Sequence, residues 1–228
     1  MTEAIHLRPA APLAERVLLP GDPHRALAVA QAILEEPRMF NHTRGLWGYT
    51  GRAGDGELLT VQATGMGAPS AAIVVRELID LGARTLVRIG TCGALDDGLE
   101  LGALVSAEQA LAADGATRAL GAGERVPADP DLAAALAAAG AEPVTAVTSD
   151  LFYDDGAHRA GWVAAGARVV EMAASAVLAV AAREGARAAV LLGVTDLLAG
   201  EHRDRVTGEA YEQLGVRLGE VAWEALAG

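Results

Sequence analysis

Four groups of residues follow apolar runs of the sequence, where their side chains could meet and bind an anion. The groups are Gly21 with Arg25, Arg88 with Thr91, Glu171 with Met172, and Thr195 with Asp196. Open α/β sheets bind ligands at the carboxyl ends of their strands. The position of these groups therefore predicts one site that brings arginines and carboxylates together.

Arg88 is the most informative of these residues, because it interrupts the apolar run 85–89. A buried guanidinium without a partner costs too much free energy to persist, so this side chain needs an anion. A bound ligand would supply that anion. The structural alternative is a buried ion pair with one of the many acids of the chain.

Glycines at positions 21, 65, 67, 90 and 93 let the backbone approach a ligand closely, and the helix starts after Gly21 and Gly67 favour an anion. The sequence contains neither the complete dinucleotide-binding fingerprint nor the phosphate-loop motif of nucleoside triphosphatases. Three arginines and a threonine indicate free phosphate instead, because the planar arginine fork suits phosphate oxygens. They are Arg25, Arg44, Arg88 and Thr91.

Strands that alternate with helices are expected to position these residues. The strands and apolar runs are 16–19, 46–52, 58–63, 85–89, 101–107, 144–148, 169–170 and 187–194, and the helices are 24–34, 71–81, 131–139, 158–165, 173–184 and 208–227. Asp22 is the expected N-cap of the first helix, with Pro23 at its first position. The stretch 112–130 is interpreted as a long excursion. The alternation predicts an α/β fold, a single domain over residues 1–228 with a central mixed β-sheet flanked by helices.

Composition and charge exclude or disfavour several classes of protein. The 228 residues carry a net charge of −12 and are 52% hydrophobic but only 4% aromatic, which excludes a disordered chain and disfavours nucleic-acid binding. Cys92 is the single cysteine, so it forms no disulfide within the chain, and no Cys/His spacing indicates a metal site. Without a signal-peptide pattern or an apolar run near the roughly 18 residues of a membrane span, a cytoplasmic protein is expected.

Five segments, in order along the chain, carry a resemblance to a known family. They are Leu19–Arg25, Arg44–Gly51, Thr64–Ala72, Arg88–Ala94 and Val170–Met172. They resemble the hexameric purine nucleoside and uridine phosphorylases over nearly the whole chain, and the likeness is closest to the bacterial purine enzymes. The resemblance implies phosphorolysis, in which nucleoside and inorganic phosphate give free base and ribose 1-phosphate. It also implies a hexamer, a trimer of dimers with shared active sites, that needs phosphate as co-substrate and no metal or organic cofactor.

The same resemblance implies roles for individual residues. Phosphate binding would fall to Gly21, Arg25, Arg88, Thr91 and, from a neighbouring subunit, Arg44. Sugar binding would fall to Glu171, Met172 and, across the same interface, His6, and Phe152 would lie against the base. Asp196 would be the acid that protonates N7 of the leaving purine, a role that contributes about 10² to 10⁴ in rate and requires a proton that burial favours. The plain structural alternatives are a capping role for Asp196, a core position for Phe152 and a surface position for His6.

The sequence departs from the family's pattern at two places. The second acid of the Val-Glu-Met segment, which binds ribose hydroxyls in the family, is Ala173 here. Either Glu171 is rearranged, or the preferred sugar lacks a hydroxyl, or activity is poor. The arginine that assists the purine acid has two candidates in this chain, Arg203 and Arg205.

Other functions stay open at this point. Uridine phosphorylase is the nearest alternative, since 114–118 is similar to those enzymes and Arg159 could occupy the region of their base-reading arginine. Asp196 argues against it, because a uracil pocket needs no acid aimed at N7. A nucleosidase, which uses water in place of phosphate, and a nucleoside-binding protein with impaired catalysis are the further alternatives.

Overall fold

A computed structural model of the chain describes residues 4–154, 156–198 and 204–227. The strands within these residues are β1 (Arg16–Pro20), β2 (Glu35–Asn41), β3 (Gly48–Arg52), β4 (Leu58–Gln62), β5 (Thr85–Ala94), β6 (Leu104–Ala112), β7 (Arg125–Pro127), β8 (Glu142–Thr148), β9 (Ala167–Glu171) and β10 (Arg187–Leu197). The helices are α1 (Pro23–Ile33), α2 (Ala68–Leu81), α3 (Gly115–Ala119), α4 (Pro130–Ala138), α5 (Arg159–Ala164), α6 (Ala174–Arg183) and α7 (Glu209–Ala227), with a 3₁₀ turn at Thr43–Gly45.

The strands form one mixed sheet in which β5 is the central element. β5 pairs in parallel with β1 and β10 and antiparallel with β9. From β10 the sheet continues through β6, β8 and β9 back to β5, so five strands form a closed ring, and β1, β4, β3 and β2 extend the sheet beyond it. The predicted α/β class and mixed central sheet are confirmed.

The two larger of three hydrophobic cores in the described residues lie on the two faces of the sheet. Along β1, Val17 and Leu19 join one core and Leu18 the other, because successive side chains of a strand point to opposite faces. Helices α2 and α6 cover the first core, and α1, α4 and α7 cover the second. The predicted cap of α1 is confirmed, since the Asp22 side chain accepts the backbone N–H of His24 at 3.0 Å.

The structure corrects the predicted elements in three places. Strand β2 is absent from the prediction because it contains Pro37 and five successive exposed residues, as a strand paired only with β3 at the sheet edge permits. The stretch 112–130 is no long excursion, since it contains α3 and β7, and Asp114 caps α3 by accepting the backbone N–H of Thr117 at 2.7 Å. Strands β5 and β10 run past their predicted ends, so Thr91 and Asp196 lie within strands.

Candidate active site

A cavity of about 870 Å³ beside β1, β5, β9 and β10 collects most of the candidate residues. Those that line it are Gly21, Arg25, Arg44, Arg88, Thr91, Phe152, Glu171, Met172, Asp196 and Arg205. The volume is in the range of small-molecule sites. His6 and Arg159 are described but do not line this cavity. Arg203 lies outside the described residues.

The register of β5 and its neighbours brings these residues together. On β10, Gly193 lies opposite Thr91 and Asp196 lies opposite Gly93. The register of β10 shifts between Val194 and Asp196, as at a β-bulge. In a regular strand Thr195 and Asp196 would face opposite sides of the sheet, whereas both line the cavity here.

Arg88 forms an ion pair and keeps one nitrogen without a partner. The side chain is buried, with 6% of the residue exposed, and its Nε and Nη2 donate to Oε2 of Glu171 at 3.0 and 2.8 Å. Its Nη1 is also buried and has no hydrogen-bond partner among the described residues. The structural alternative, a buried ion pair with an acid, is therefore confirmed. A bound anion stays a prediction, which the buried donor Nη1 favours because it needs an acceptor.

Both oxygens of Glu171 are occupied within the chain. Oε1 accepts the Thr148 hydroxyl at 2.7 Å and the backbone N–H of Ala174 at 2.8 Å. Oε2 accepts the backbone N–H of Ala173 at 2.8 Å in addition to Arg88. Glu171 therefore accepts the backbone N–H groups at the start of α6, where Ala173 is fully buried. The ribose-binding role of Glu171 stays a prediction, with little acceptor capacity left for sugar hydroxyls.

Arg25, near the start of α1, is a second buried cation, with 7% of the residue exposed. Its Nη2 donates to the Tyr211 hydroxyl at 2.8 Å, and its guanidinium lies 5.3 Å from the Tyr211 ring centroid. A Cβ at Gly215 of α7 would lie 3.2 Å from Arg25 Nε, so glycine leaves room for the side chain. Within the described ranges, no acid forms an ion pair with Arg25. Tyr211 was not predicted, since nothing in its local sequence points to a partner in α1.

Arg44 and His6 have different surroundings from those expected. Arg44 lies in the exposed 3₁₀ turn with φ 60°, and it lines the cavity of its own chain. Its action in a neighbouring subunit stays a prediction. His6 Nδ1 lies 2.7 Å from Oε1 of Glu77. The same oxygen accepts the backbone N–H groups of Ile5 and His6, and Oε2 accepts that of Leu7. His6 is therefore held in place on α2 and is no loose surface residue.

The carboxyl group of Asp196 is buried, and two donors among the described residues contact it. Arg205 Nε donates to its Oδ1 at 2.7 Å, and the Thr195 hydroxyl donates to its Oδ2 at 2.9 Å. Asp196 and Arg205 also form an isolated antiparallel β-bridge. The hydrogen bond to Asp196 is the main reason that the pKa of Arg205 is raised above its ordinary value. Arg205, one of the two arginines predicted to assist the acid, thus contacts Asp196, and the other, Arg203, lies outside the described residues.

Phe152 lies at the open side of the cavity and is no core aromatic, since 44% of the residue is exposed. Its ring packs edge-on against Tyr153 with centroids 5.0 Å apart, and the Arg205 guanidinium lies 5.6 Å from its centroid. Arg159 Nη1 donates to the backbone carbonyl of Leu198, which lines the cavity after β10. Arg159 therefore supports the wall of the cavity without forming part of it.

Cys92 has no role as a nucleophile at this site. Burial, followed by the nearby charges of Glu171 and Asp196, raises the pKa of its thiol far above the ordinary value. Its Sγ–H points to the carbonyl of Gly193 at 3.6 Å. Among the residues that the structure describes, no three His, Cys, Asp or Glu side chains form a group that could hold a metal ion, and no helix has both the length and the hydrophobicity to cross a membrane.

The amino-acid sequence is similar to those of known proteins. A model of the phosphorylase superfamily matches residues 15–227. The chain is 38% identical over 223 residues to a protein of Geobacillus kaustophilus named purine nucleoside phosphorylase DeoD-type, with 93% of each chain covered. Proteins of the same name are 37% identical over 201 residues in Oceanobacillus iheyensis, with 83% of this chain and 85% of that one covered, and 35% identical over 228 residues in Clostridium perfringens, with 93% and 94% covered.

Proposed function

The chain belongs to the phosphorylase superfamily, and from this premise we propose that it is a purine nucleoside phosphorylase. It is a pentosyltransferase that cleaves purine ribonucleosides or deoxyribonucleosides with inorganic phosphate, giving free base and the sugar 1-phosphate. The observation that carries the reaction type is the unpartnered Nη1 of buried Arg88, in a cavity that also contains Arg25. Among the described residues, an acid pairs with only one of these two buried guanidinium groups, and the excess positive charge favours a bound anion over a bound water.

The phosphate is proposed to bind where β1 and β5 meet α1. Arg88 Nη1 and Arg25 supply charged donors to its oxygens, and the Thr91 hydroxyl and the Gly21 backbone complete the site. Arg44 adds a further charge, from its own chain or from a neighbour. As the glycosidic bond breaks, positive charge builds up on the sugar, and the phosphate anion stabilises it before one oxygen bonds to C1′.

The base is proposed to lie between Phe152 and Asp196. When the C1′–N9 bond breaks, its electron pair goes to the purine, and Asp196 donates a proton to N7. Arg205 stabilises the carboxylate that Asp196 becomes, through the 2.7 Å hydrogen bond. Phe152, which lines the cavity and is 44% exposed, supplies an aromatic ring for stacking against the purine.

The sugar is proposed to pack on Met172, with His6 at its 5′-hydroxyl from a neighbouring subunit. A hexamer with shared sites would bring such a neighbour to the cavity. Met66 and Leu151 line the cavity and are 87% and 64% exposed, a pattern typical of surfaces that another chain covers. Light scattering after size-exclusion chromatography tests this assembly, and a monomer that is fully active would contradict it.

Uridine phosphorylase is a weaker candidate for this chain. Its expected base-reading residue, Arg159, donates to the Leu198 carbonyl and does not line the cavity. The acid at Asp196 with its Arg205 partner suits a purine, whose N7 accepts a proton when the base leaves. The proposed reaction needs no metal or organic cofactor, and the cytoplasmic location stays a prediction.

A substrate panel tests the proposal. Inosine, guanosine, adenosine, uridine and their 2′-deoxy forms are incubated with the enzyme, each with and without inorganic phosphate, and bases and sugar products are quantified. We expect purine cleavage only with phosphate, and sugar 1-phosphate as product. Free ribose formed without phosphate would identify a nucleosidase, preference for uridine would identify a uridine phosphorylase, and binding without turnover would identify an impaired enzyme.

A further inference from the structure

A buried chain of hydrogen bonds runs from the start of α3 to Arg88. Oδ2 of Asp114, a fully buried residue, accepts the Ser175 hydroxyl at 2.6 Å. The Ser175 backbone N–H donates to Thr148 Oγ1 at 2.9 Å, and the Thr148 hydroxyl donates to Glu171 Oε1 at 2.7 Å. Glu171 Oε2 then accepts Nε and Nη2 of Arg88. The chain joins α3, α6, β8, β9 and β5 in one polar network.

The donors in this network have fixed directions. Thr148 Oγ1 accepts a backbone N–H, and a backbone amide cannot act as acceptor at its nitrogen. The one hydroxyl proton of Thr148 is therefore free to point to Glu171 Oε1, at the short distance typical of an O–H group that donates to a carboxylate. Without this hydroxyl, the same oxygen would keep only the Ala174 N–H as a donor.

The orientation of Glu171 sets the orientation of Arg88. A guanidinium is planar, so two of its nitrogens held by one carboxylate oxygen determine the direction of the third. The third nitrogen is Nη1, the buried donor without a partner among the described residues. A rotation of the Glu171 carboxylate would therefore move the group that is proposed to meet the phosphate.

We propose that Thr148 is a positioning residue for phosphate. Ser175 donates to Thr148, and Asp114 in turn accepts the Ser175 hydroxyl. It holds the Glu171 carboxylate so that Arg88 presents Nη1 to the anion. Glu171 accordingly acts on phosphate through Arg88 and does not serve as a ligand of the ribose hydroxyls. This inference rests on the proposed function only in that the anion in the cavity is phosphate.

Three variants test this role by titration of the purified protein with inorganic phosphate in a calorimeter. Thr148→Val keeps the shape and removes the hydroxyl, and Thr148→Ser restores it. Thr50→Val is the matched control, because Thr50 is also buried and its hydroxyl lies 2.8 Å from that of Thr60, away from the cavity. We expect phosphate to bind about tenfold more weakly to Thr148→Val, and as in wild type to Thr148→Ser and Thr50→Val.

Steady-state kinetics compare the KM for phosphate with the KM for nucleoside. A loss of stability alone would not change one of them without the other. We expect Thr148→Val to raise the KM for phosphate about tenfold and to leave the KM for nucleoside within about twofold. Equal phosphate affinity in wild type and Thr148→Val, or equal weakening in Thr50→Val, overturns the proposal. Thr148→Ala replaces Thr148→Val if the latter does not fold, with the same expectations.

The two proposals can fail separately. Phosphate binding that depends on Thr148, without turnover of any nucleoside, would support the positioning role and contradict the proposed reaction. Phosphorolysis with a phosphate KM that does not respond to Thr148→Val would support the reaction and contradict the positioning role. A wild-type protein that binds no phosphate would contradict both.

Discussion

The two ends of the cavity are built in different ways. The proposed phosphate end, defined by Arg25 and Arg88, lies on α1 and β5, and both arginines are more than nine-tenths buried. The base end, defined by Phe152, Asp196 and Arg205, combines one strand residue with two that lie in irregular segments. Side-chain exposure is 45% for Arg205 and 7% for Asp196.

This difference is consistent with what each end is proposed to bind. Stabilisation of a developing charge is strongest when donors are fixed before the reaction and water is excluded, as buried side chains on regular elements allow. A flat base is recognised largely by stacking, which tolerates a more exposed and adaptable surface. Asp196 is the exception at the base end, because proton transfer also requires a fixed distance.

The largest expected effect is that of a substitution at Asp196, which tests the proposed proton donor separately from Phe152 and Arg205. Asp196→Asn keeps the size of the side chain and removes the proton donor, so kcat for purine nucleosides should fall by about 10² to 10⁴, with the phosphate KM unchanged. Steady-state kinetics with inosine and phosphate measure both values. Unchanged purine turnover would remove Asp196 from the mechanism.

The next largest effect is at the phosphate end. Arg88→Lys keeps a positive charge for Glu171 but loses the planar fork, so the phosphate KM should rise about 100-fold. Lysine is preferable to alanine, because loss of one partner of a buried ion pair costs about 3–5 kcal/mol of stability. Kinetics at varied phosphate measure the effect, and a phosphate KM equal to that of wild type would place the anion elsewhere.

Arg205 provides a test that the two ends act separately. Arg205→Gln removes the charge that faces Asp196, and we expect kcat to fall about tenfold with no change in phosphate KM. The control is Arg168→Gln, which removes an arginine that pairs with Asp96 away from the cavity. An increase in the phosphate KM of Arg205→Gln would mean that Arg205 and Arg88 bind the same anion.

Phe152 should show a smaller effect, mainly on nucleoside binding. Phe152→Ala removes the stacking face, so we expect the nucleoside KM to rise about threefold to tenfold. The Tm should stay near that of wild type, because the side chain is already partly exposed. A large fall in Tm would show that Phe152 is a packing residue after all.

The smallest effect concerns the N-terminal segment, which belongs to neither end. Burial raises the pKa of Glu77, but hydrogen bonds from the His6 side chain and from the backbone of Leu7, His6 and Ile5 outweigh it, so the net pKa is lowered. The resulting stability is present above the ordinary glutamate pKa of about 4.3 and is lost as pH falls through the lower folded value. Tm measured from pH 7 to pH 3 should therefore fall more for wild type than for Glu77→Gln, whereas parallel curves would contradict this assignment.

Much of the site was predictable because single residues conflict with their local pattern. Arg88 in an apolar run requires an anion wherever the strand lies, and glycines next to arginines indicate a close approach to it. Strand β2 could not be predicted, since pairing with β3 compensates for its exposed residues and its proline. The lengths of β5 and β10 also escaped prediction, because Gly90, Gly93 and Asp196 weaken the local strand pattern and only pairing with the neighbouring strands extends it.

The sequence by itself determined the fold class, the family and the candidate residues for phosphate binding and proton transfer, because these depend on residue type and order along the chain. Only the tertiary structure decided that Glu171 pairs with Arg88, that Arg205 contacts Asp196, and that Tyr211 contacts Arg25. These partners lie 83, 9 and 186 positions apart. Contacts of this kind form only when strand register and helix packing bring distant segments together, and no local pattern records them.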